Sequence, residues 1–340
     1  MAKMTSPVAG LAKPRMAALL VVLTGMILVT GALSLALGIT SVPLADLPTI
    51  LMGEGGERVH RIVIREIRLP RLLAGVTAGA ALGVAGAMLQ DALRNPLADP
   101  GILGVASGGS LVAAAVVILN LPVPAGGLPL AALLGGLATG AVVLATVRMT
   151  RDPVRMLLIG AALSALFGAL ITVLIVLGSP QDIRALTRYL AGSLIGADWE
   201  DARILAVWAT AGAVLATLLA RGLAVLRLGD EVAEGLGLPV ARVRGLVFLA
   251  AILLTAPVVS QAGPIAFVAL IAPHLARGLA GTGQPGVILP LSALGGALML
   301  AACDLAAREI LQPAELPVGL VVAGLGGPVA ILILRRRVVA

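Results

Sequence analysis

The chain has 340 residues, of which 59% are hydrophobic and only 12% charged, about half the charge of an ordinary soluble domain; no globular core hides so many separate apolar runs, whereas lipid accepts any helix of about 20 apolar residues. The formal charge of +7 does not mark a nucleic-acid binder, because a 2% aromatic content leaves no stacking platform and the basic residues, all arginine except Lys3 and Lys13, sit at the ends of apolar runs. One cysteine, Cys303, excludes an internal disulfide and a cysteine metal cluster, and two histidines, His60 and His274, leave no metal site and no catalytic set to expect.

Apolar runs bounded by charge, proline or glycine predict ten membrane-spanning helices, over residues 16–38, 69–90, 102–119, 128–147, 154–177, 202–220, 245–262, 264–280, 287–305 and 316–334. The predicted fold class is an all-α membrane protein. Residues 1–15 form an N-terminal segment, 16–337 a single transmembrane domain and 338–340 a tail. The first run follows Lys13 and Arg15 as a secretory signal would, but it is too long and lacks a small-residue cleavage site, so it reads as an uncleaved helix. An even number of crossings puts both termini on one side. That side then carries 15 of the lysines and arginines and the other 9, which makes the termini cytoplasmic.

The loop 39–68 works against this bias with Arg58, Arg61, Arg65 and Arg68, and Arg71 opens the next helix. Either the local topology is inverted or these charges have a task outside. In the second span Gly75, Gly79 and Gly83 lie four apart on one helical face, where small residues let another backbone approach closely, within the subunit or between subunits.

The stretch QDALRNPLADPGILGVASGG, 90–109, reads as a tight turn. Gln90 and Asp91 end the second helix, Asn95-Pro96 and Asp99-Pro100 forbid its continuation, and Gly101 lets the third start. The longest loop on the side of the termini, 222–244, is not plain linker. Asp230, Glu231 and Glu234 favour the start of a short helix that Gly235, Gly237 and Pro239 then end. It is either a docking surface or a solvated interfacial helix. A phosphate-binding loop needs a lysine after its glycines, and both lysines precede the first apolar run, so any ATP that drives this chain binds another polypeptide.

Four segments, RLPRLLAGVTAGAALGVAGAMLQDALRNPLADPGILGVASGG (68–109), LGDEVAEGLGLPVARVR (228–244), GPIAFVALIAPHLARGLAG (263–281) and ELPVGLVVAGLGGPVAILILRRR (315–337), resemble in order and spacing the FecCD family of bacterial ABC importer permeases. The resemblance implies the type II importer permease fold, with ten transmembrane helices and both termini cytoplasmic, in the bacterial cytoplasmic (inner) membrane. It implies a second permease subunit, making a homodimer, two ATPase subunits that hold ATP and magnesium, and a periplasmic or lipid-anchored substrate-binding protein. No cofactor is expected on this chain. The cargo implied by frequency within the family is a ferric siderophore, with haem or cobalamin as the alternative.

Carried over position by position, the resemblance assigns ATPase coupling to Leu228, Gly229, Asp230, Glu231, Ala233, Gly235 and Leu236. It assigns docking of the binding protein to Arg58, Arg61 and Arg308, and places Ser164, Phe167 and Thr172 along the translocation path. Pro264 starts the eighth helix as Pro100 precedes the third, places that would correspond if helices 2–5 and 7–10 were inverted repeats, a common transporter plan. Two other classes compete. An ion-coupled carrier needs an ionisable residue within the membrane, for which Asp304 is the best candidate. An intramembrane hydrolase would use Ser107 with His274, but no third group completes the set.

Overall fold

The structure is a computed structural model that describes residues 13–124, 126–149 and 153–338. Most of the N-terminal segment 1–15, and residues 339–340 of the tail, lie outside them. Among the described residues the chain is helical throughout, without a strand. Its α-helices are α1 (Lys13–Ala36), α2 (Leu47–Met52), α3 (Arg58–Ile62), α4 (Leu69–Ala92), α5 (Val105–Ile118), α6 (Gly127–Met149), α7 (Pro153–Leu177), α8 (Pro180–Leu190), α9 (Trp199–Leu226), α10 (Asp230–Gly235), α11 (Val240–Ala262), α12 (Val268–Ala280), α13 (Pro285–Glu309) and α14 (Val318–Val338).

Each predicted span falls on one helix: α1, α4, α5, α6, α7, α9, α11, α12, α13 or α14. Among the described residues, seven helical stretches are long and apolar enough to cross a membrane, and α5, α12 and Val318–Leu332 of α14 are shorter apolar helices. The segment 39–68, expected as a loop, is corrected by the structure: it contains α2, α3 and a π-helical stretch, Val63–Arg68, that runs into α4. Arg58–Ala92 is therefore one rod of 35 residues, about 52 Å at 1.5 Å of rise per residue. Arginine is a good helix former, and charge ends an apolar run without ending a helix.

Two boundaries differ because caps intervene. The Gly101 N–H donates to Asp99 Oδ1 at 2.7 Å, starting a separate 3-10 turn, Pro100–Leu103, so that α5 begins only at Val105. Burial pushes the Asp99 carboxyl up, and the Gly101 N–H pulls it back. α12 begins at Val268 rather than 264 because residues 263–267 are non-helical, with Gly263 at φ 70° and Phe267 at φ 66°. α8 was not foreseen, being too short and too charged to span a membrane. Ser179 caps it, Leu186 is buried beneath it, and the Tyr189 hydroxyl, which burial keeps protonated, donates to Val259 O at 2.7 Å.

α4 is the central helix, packed against α13, α9, α11 and α12. A methyl group added at Gly79 or Gly83 would collide with the carbonyl of Gly296 or Ser292 in α13, and one at Gly86 with that of Ala269 in α12. Lipid gives apolar helices no hydrophobic reason to associate, so this backbone approach supplies the packing energy. The glycine face of α4 is thus used within the chain. α1 and α7, by contrast, turn large apolar side chains outward, Val21, Leu28 and Val29 on the one and Leu158, Val173 and Val176 on the other. Two clusters of charge stand one at each end of α4.

Candidate coupling face, rim and passage

At the C-terminal end of α4 the chain turns through Arg94, at φ 49°, and meets the loop between α9 and α11. There Gly229, at φ 110°, lets α10 start tight against Arg94, since a Cβ at that position would lie 3.2 Å from Arg94 Nη1. Asp230, the first residue of α10, accepts from Arg244 Nη2 at 2.7 Å, with Arg94 Nη2 3.8 Å away. Arg244 is 2% exposed, and its Nε donates to Ala92 O at 3.4 Å, so one guanidinium ties α10 to the end of α4. Beside it the buried Asp91 pairs with Arg277 of α12 at 3.0 Å and with Arg227 at 3.6 Å. Gln90 accepts from Arg277 and donates to the carbonyls of Ala269 and Leu270, each at 3.3 Å. α4, α10 and α12 are thereby joined through charge-assisted hydrogen bonds around a cavity of about 260 Å³.

The short helix falls where Asp230 and Gly235 set its limits in the sequence. Of the residues assigned to coupling, Leu228, Glu231, Gly235 and Leu236 are exposed, Asp230 is half-buried, and Gly229 and Ala233 are buried inside the turn. Val232, which sequence reasoning missed, stands 49% exposed between Leu228 and Leu236 at 60% and 66%. Val232 and Leu236 lie four apart at α10 and share one side, and with Leu228 just before the helix they form an exposed apolar ridge. Arg227, Arg244 and Arg277 were also missed as members of the face. Their signal was arginine standing at the very edge of an apolar run, where a bare charge would not be placed without a carboxylate nearby.

The N-terminal end of α4 holds the second cluster. Arg68 donates to Leu35 O and Thr40 O at 2.7 Å each and to Ala36 O at 3.3 Å, satisfying carbonyls that the end of α1 leaves open. Arg71 pairs with Asp304 at 2.9 Å and Glu315 at 2.7 Å. Arg308, assigned to docking, is 7% exposed and donates to Ser34 O at 2.9 Å and Ser34 Oγ at 2.6 Å, whereas Arg58 and Arg61 are exposed along α3. Asp304, the acid considered for ion coupling, is buried against Arg71 and Arg308.

Along α7, Ser164 and Phe167 are half-buried and Thr172 is exposed. Thr172 donates to the carbonyl of Gly168 one turn back, at 2.9 Å, and Ser164 Oγ lies 3.2 Å from Ser107 Oγ of α5. Ser107 itself donates to Gly104 O at 3.0 Å, as a packing serine does. The structure thus brings the residues assigned to coupling together and splits the arginines assigned to docking between a surface and a buried network; of those assigned to the path, Ser164 faces α5 and Thr172 is exposed. Among the described residues no group of three or more His, Cys, Asp or Glu is placed to hold a metal ion.

An all-helical bundle of apolar helices around a central small-residue helix, with charge networks at both ends of that helix and an exposed apolar ridge at a short internal helix, is the framework of a membrane protein. The chain belongs to the FecCD transport family, whose profile matches residues 26–336. It is 40% identical over 304 residues to the Fe(3+) dicitrate transport system permease protein FecD of Escherichia coli K12, covering 89% of this chain and 94% of that protein. It is 38% identical over 281 residues to the hemin transport system permease protein HmuU of Yersinia pestis, covering 80% and 83%. A solved inward-facing structure of a metal-chelate type ABC transporter superposes with a TM-score of 0.84 at 30% identity, covering 94% of this chain and 99% of that one. The chain is therefore a permease of the ABC importer class, and ATP hydrolysis resides on separate subunits.

Proposed function

We propose that the chain imports an iron chelate, a ferric siderophore in the first place, across the bacterial cytoplasmic membrane by alternating access. The α10 end faces the cytoplasm together with both termini, and the chain crosses the membrane ten times. Two permease subunits form a homodimer, two ATPase subunits carrying ATP and magnesium engage the α10 faces, and a substrate-binding protein delivers cargo to the opposite rim. The observation that carries this reading is the apolar ridge Leu228–Val232–Leu236, held to α4 by the Arg244–Asp230 pair.

Mechanically, α10 is a handle. A partner that grips the ridge and moves displaces Asp230, which pulls Arg244 and with it the end of α4 at Ala92; the Asp91–Arg277 pair passes the displacement to α12. Rigid helices joined by hydrogen-bonded charges tilt together, so one end of the bundle opens as the other closes. The driving free energy is the partner's differential affinity for the two states. Arg58 and Arg61, exposed at the far rim, steer an acidic binding protein into register.

Iron chelates, haem and cobalamin all occur in the names of relatives, and haem or cobalamin is the second reading of the cargo. The binding protein sets most of the choice. Purified binding protein from the same cell, titrated with ferric siderophores, ferric citrate, haem and cobalamin, followed by uptake of radiolabelled ligand into proteoliposomes, tests it. Uptake of a ferric chelate with no response to haem or cobalamin is the expected result, and the reverse selectivity contradicts the siderophore assignment.

A further inference from the structure

Residues 263–267, Gly-Pro-Ile-Ala-Phe, join α11 to α12 without helical structure. Their depth follows from their neighbours. The Ser193 N–H donates to Ala262 O at 2.7 Å, and Leu194, the next residue, lies 3.1 Å from where a Cβ on Gly75 of α4 would stand. At the other end Ala269 presses its carbonyl onto Gly86 of the same helix. The chain thus descends from the level of Gly75 to the level of Gly86, about 16 Å along the α4 axis at 1.5 Å of rise per residue. Both levels lie inside the apolar run 69–90, so this is non-helical backbone in the middle of the membrane.

Such backbone cannot face lipid, because hydrocarbon offers its N–H and C=O groups no partner; it occurs only buried in protein or along a water-filled cavity. Burial by this chain does not account for it. Ala266 is exposed, and Pro264, Ile265 and Phe267 are only half-buried. Phe267 is moreover held at φ 66°, a left-handed conformation that a side chain of this size adopts only under constraint. Its Cβ abuts α14, 2.6 Å from where a Cβ on Gly326 would stand, so Gly326 leaves the space that the phenylalanine needs. Phe167, Phe248 and Phe267 are the phenylalanines of the chain, and Phe248 is fully buried.

We infer that residues 263–267 form a wall of the substrate passage, with the peptide N–H groups of Ile265 and Ala266 wetted by it and Phe267, wedged against α14 at Gly326, presenting an aromatic face to the cargo. The inference rests on the importer reading, since it is the passage of that importer that supplies the water. Being non-helical between two helices, the segment also sits where α12 can tilt relative to α11 as Arg277 is pulled.

The test uses full-length permease reconstituted with its ATPase partner and treated with a charged, membrane-impermeant methanethiosulfonate reagent. Native Cys303 is 4% exposed and provides the blank. Ala266→Cys and Ile265→Cys are compared with Leu28→Cys on the outward surface of α1 and with Arg61→Cys at the rim. Because only the hydrated thiolate reacts, Ala266→Cys is expected to label about tenfold or more faster than Leu28→Cys, with a rate that differs between nucleotide-free and ATP-trapped complexes. If both Ala266→Cys and Ile265→Cys match Leu28→Cys in both states while Arg61→Cys reacts, the inference falls. ATP-dependent uptake by the unmodified permease, measured in the same vesicles, judges the importer reading separately.

Discussion

Arg244 and Asp230 face each other across the junction of α11 and α10, Nη2 to Oδ1 at 2.7 Å, with the guanidinium buried and its Nε turned to the last carbonyl of α4. The pair joins α10 to the end of α4 through one guanidinium, which makes it the natural point at which to cut coupling. Arg244→Met strands the half-buried Asp230 carboxylate; loss of a partner from a buried pair costs about 3–5 kcal/mol, less here because Asp230 is partly hydrated. Asp230→Asn keeps a hydrogen bond and should cost about 1 kcal/mol. Thermal midpoints in detergent should fall in that order, and ATPase activity should lose its response to substrate in Arg244→Met before it does in Asp230→Asn.

The apolar ridge separates docking from folding. Leu228, Val232 and Leu236 touch solvent rather than core, so Leu236→Asp should leave the thermal midpoint within the scatter expected of surface changes, about 0.5 kcal/mol. A charge at the centre of an interface should nonetheless abolish co-purification with the ATPase. A variant that still captures the ATPase would place the docking surface elsewhere.

The two kinds of rim arginine should behave differently. Arg58→Glu with Arg61→Glu reverses exposed charge and is expected to slow association of the binding protein, with an effect that shrinks as salt rises toward a Debye length of about 8 Å. Arg308→Ala should instead lower the thermal midpoint, because it leaves Ser34 O, which now accepts at 2.9 Å, without its donor. Surface plasmon resonance across a salt series and a melting curve distinguish the two outcomes.

Two glycines bracket the cost of filling space. Gly83→Ala drives a methyl group into the Ser292 carbonyl and should cost about 1–3 kcal/mol as overpacking, with loss of assembled protein. Gly25, on α1, has nothing within 4 Å of its would-be Cβ, and Gly25→Ala should be neutral or stabilise by a few tenths, up to about 1 kcal/mol, through helix propensity. Equal effects at both sites would contradict the packing of α4 on α13.

The helices were legible because hydrocarbon demands long apolar runs, and the limits of α10 were legible because Asp230 and the glycines after it are written locally. What stayed hidden depends on distant residues. Nothing near Arg68 or Arg71 says that one caps α1 and the other pairs with Asp304, so a buried network at the rim read as surface charge. α8 was missed because it is apolar on one side only, and Phe267 because a left-handed phenylalanine has no local signature. The ridge residue Val232 passed unnoticed among acidic neighbours whose charge favours the helix start.

On the proposed reading a separate ATPase drives this permease through α10. Proteoliposomes containing the permease, the binding protein and a ferric chelate, with and without the ATPase subunits and ATP, test it most directly. Uptake is expected only when ATPase and ATP are both present, lost in Leu236→Asp and insensitive to an ionophore. Full uptake without the ATPase, abolished by the ionophore, would contradict it.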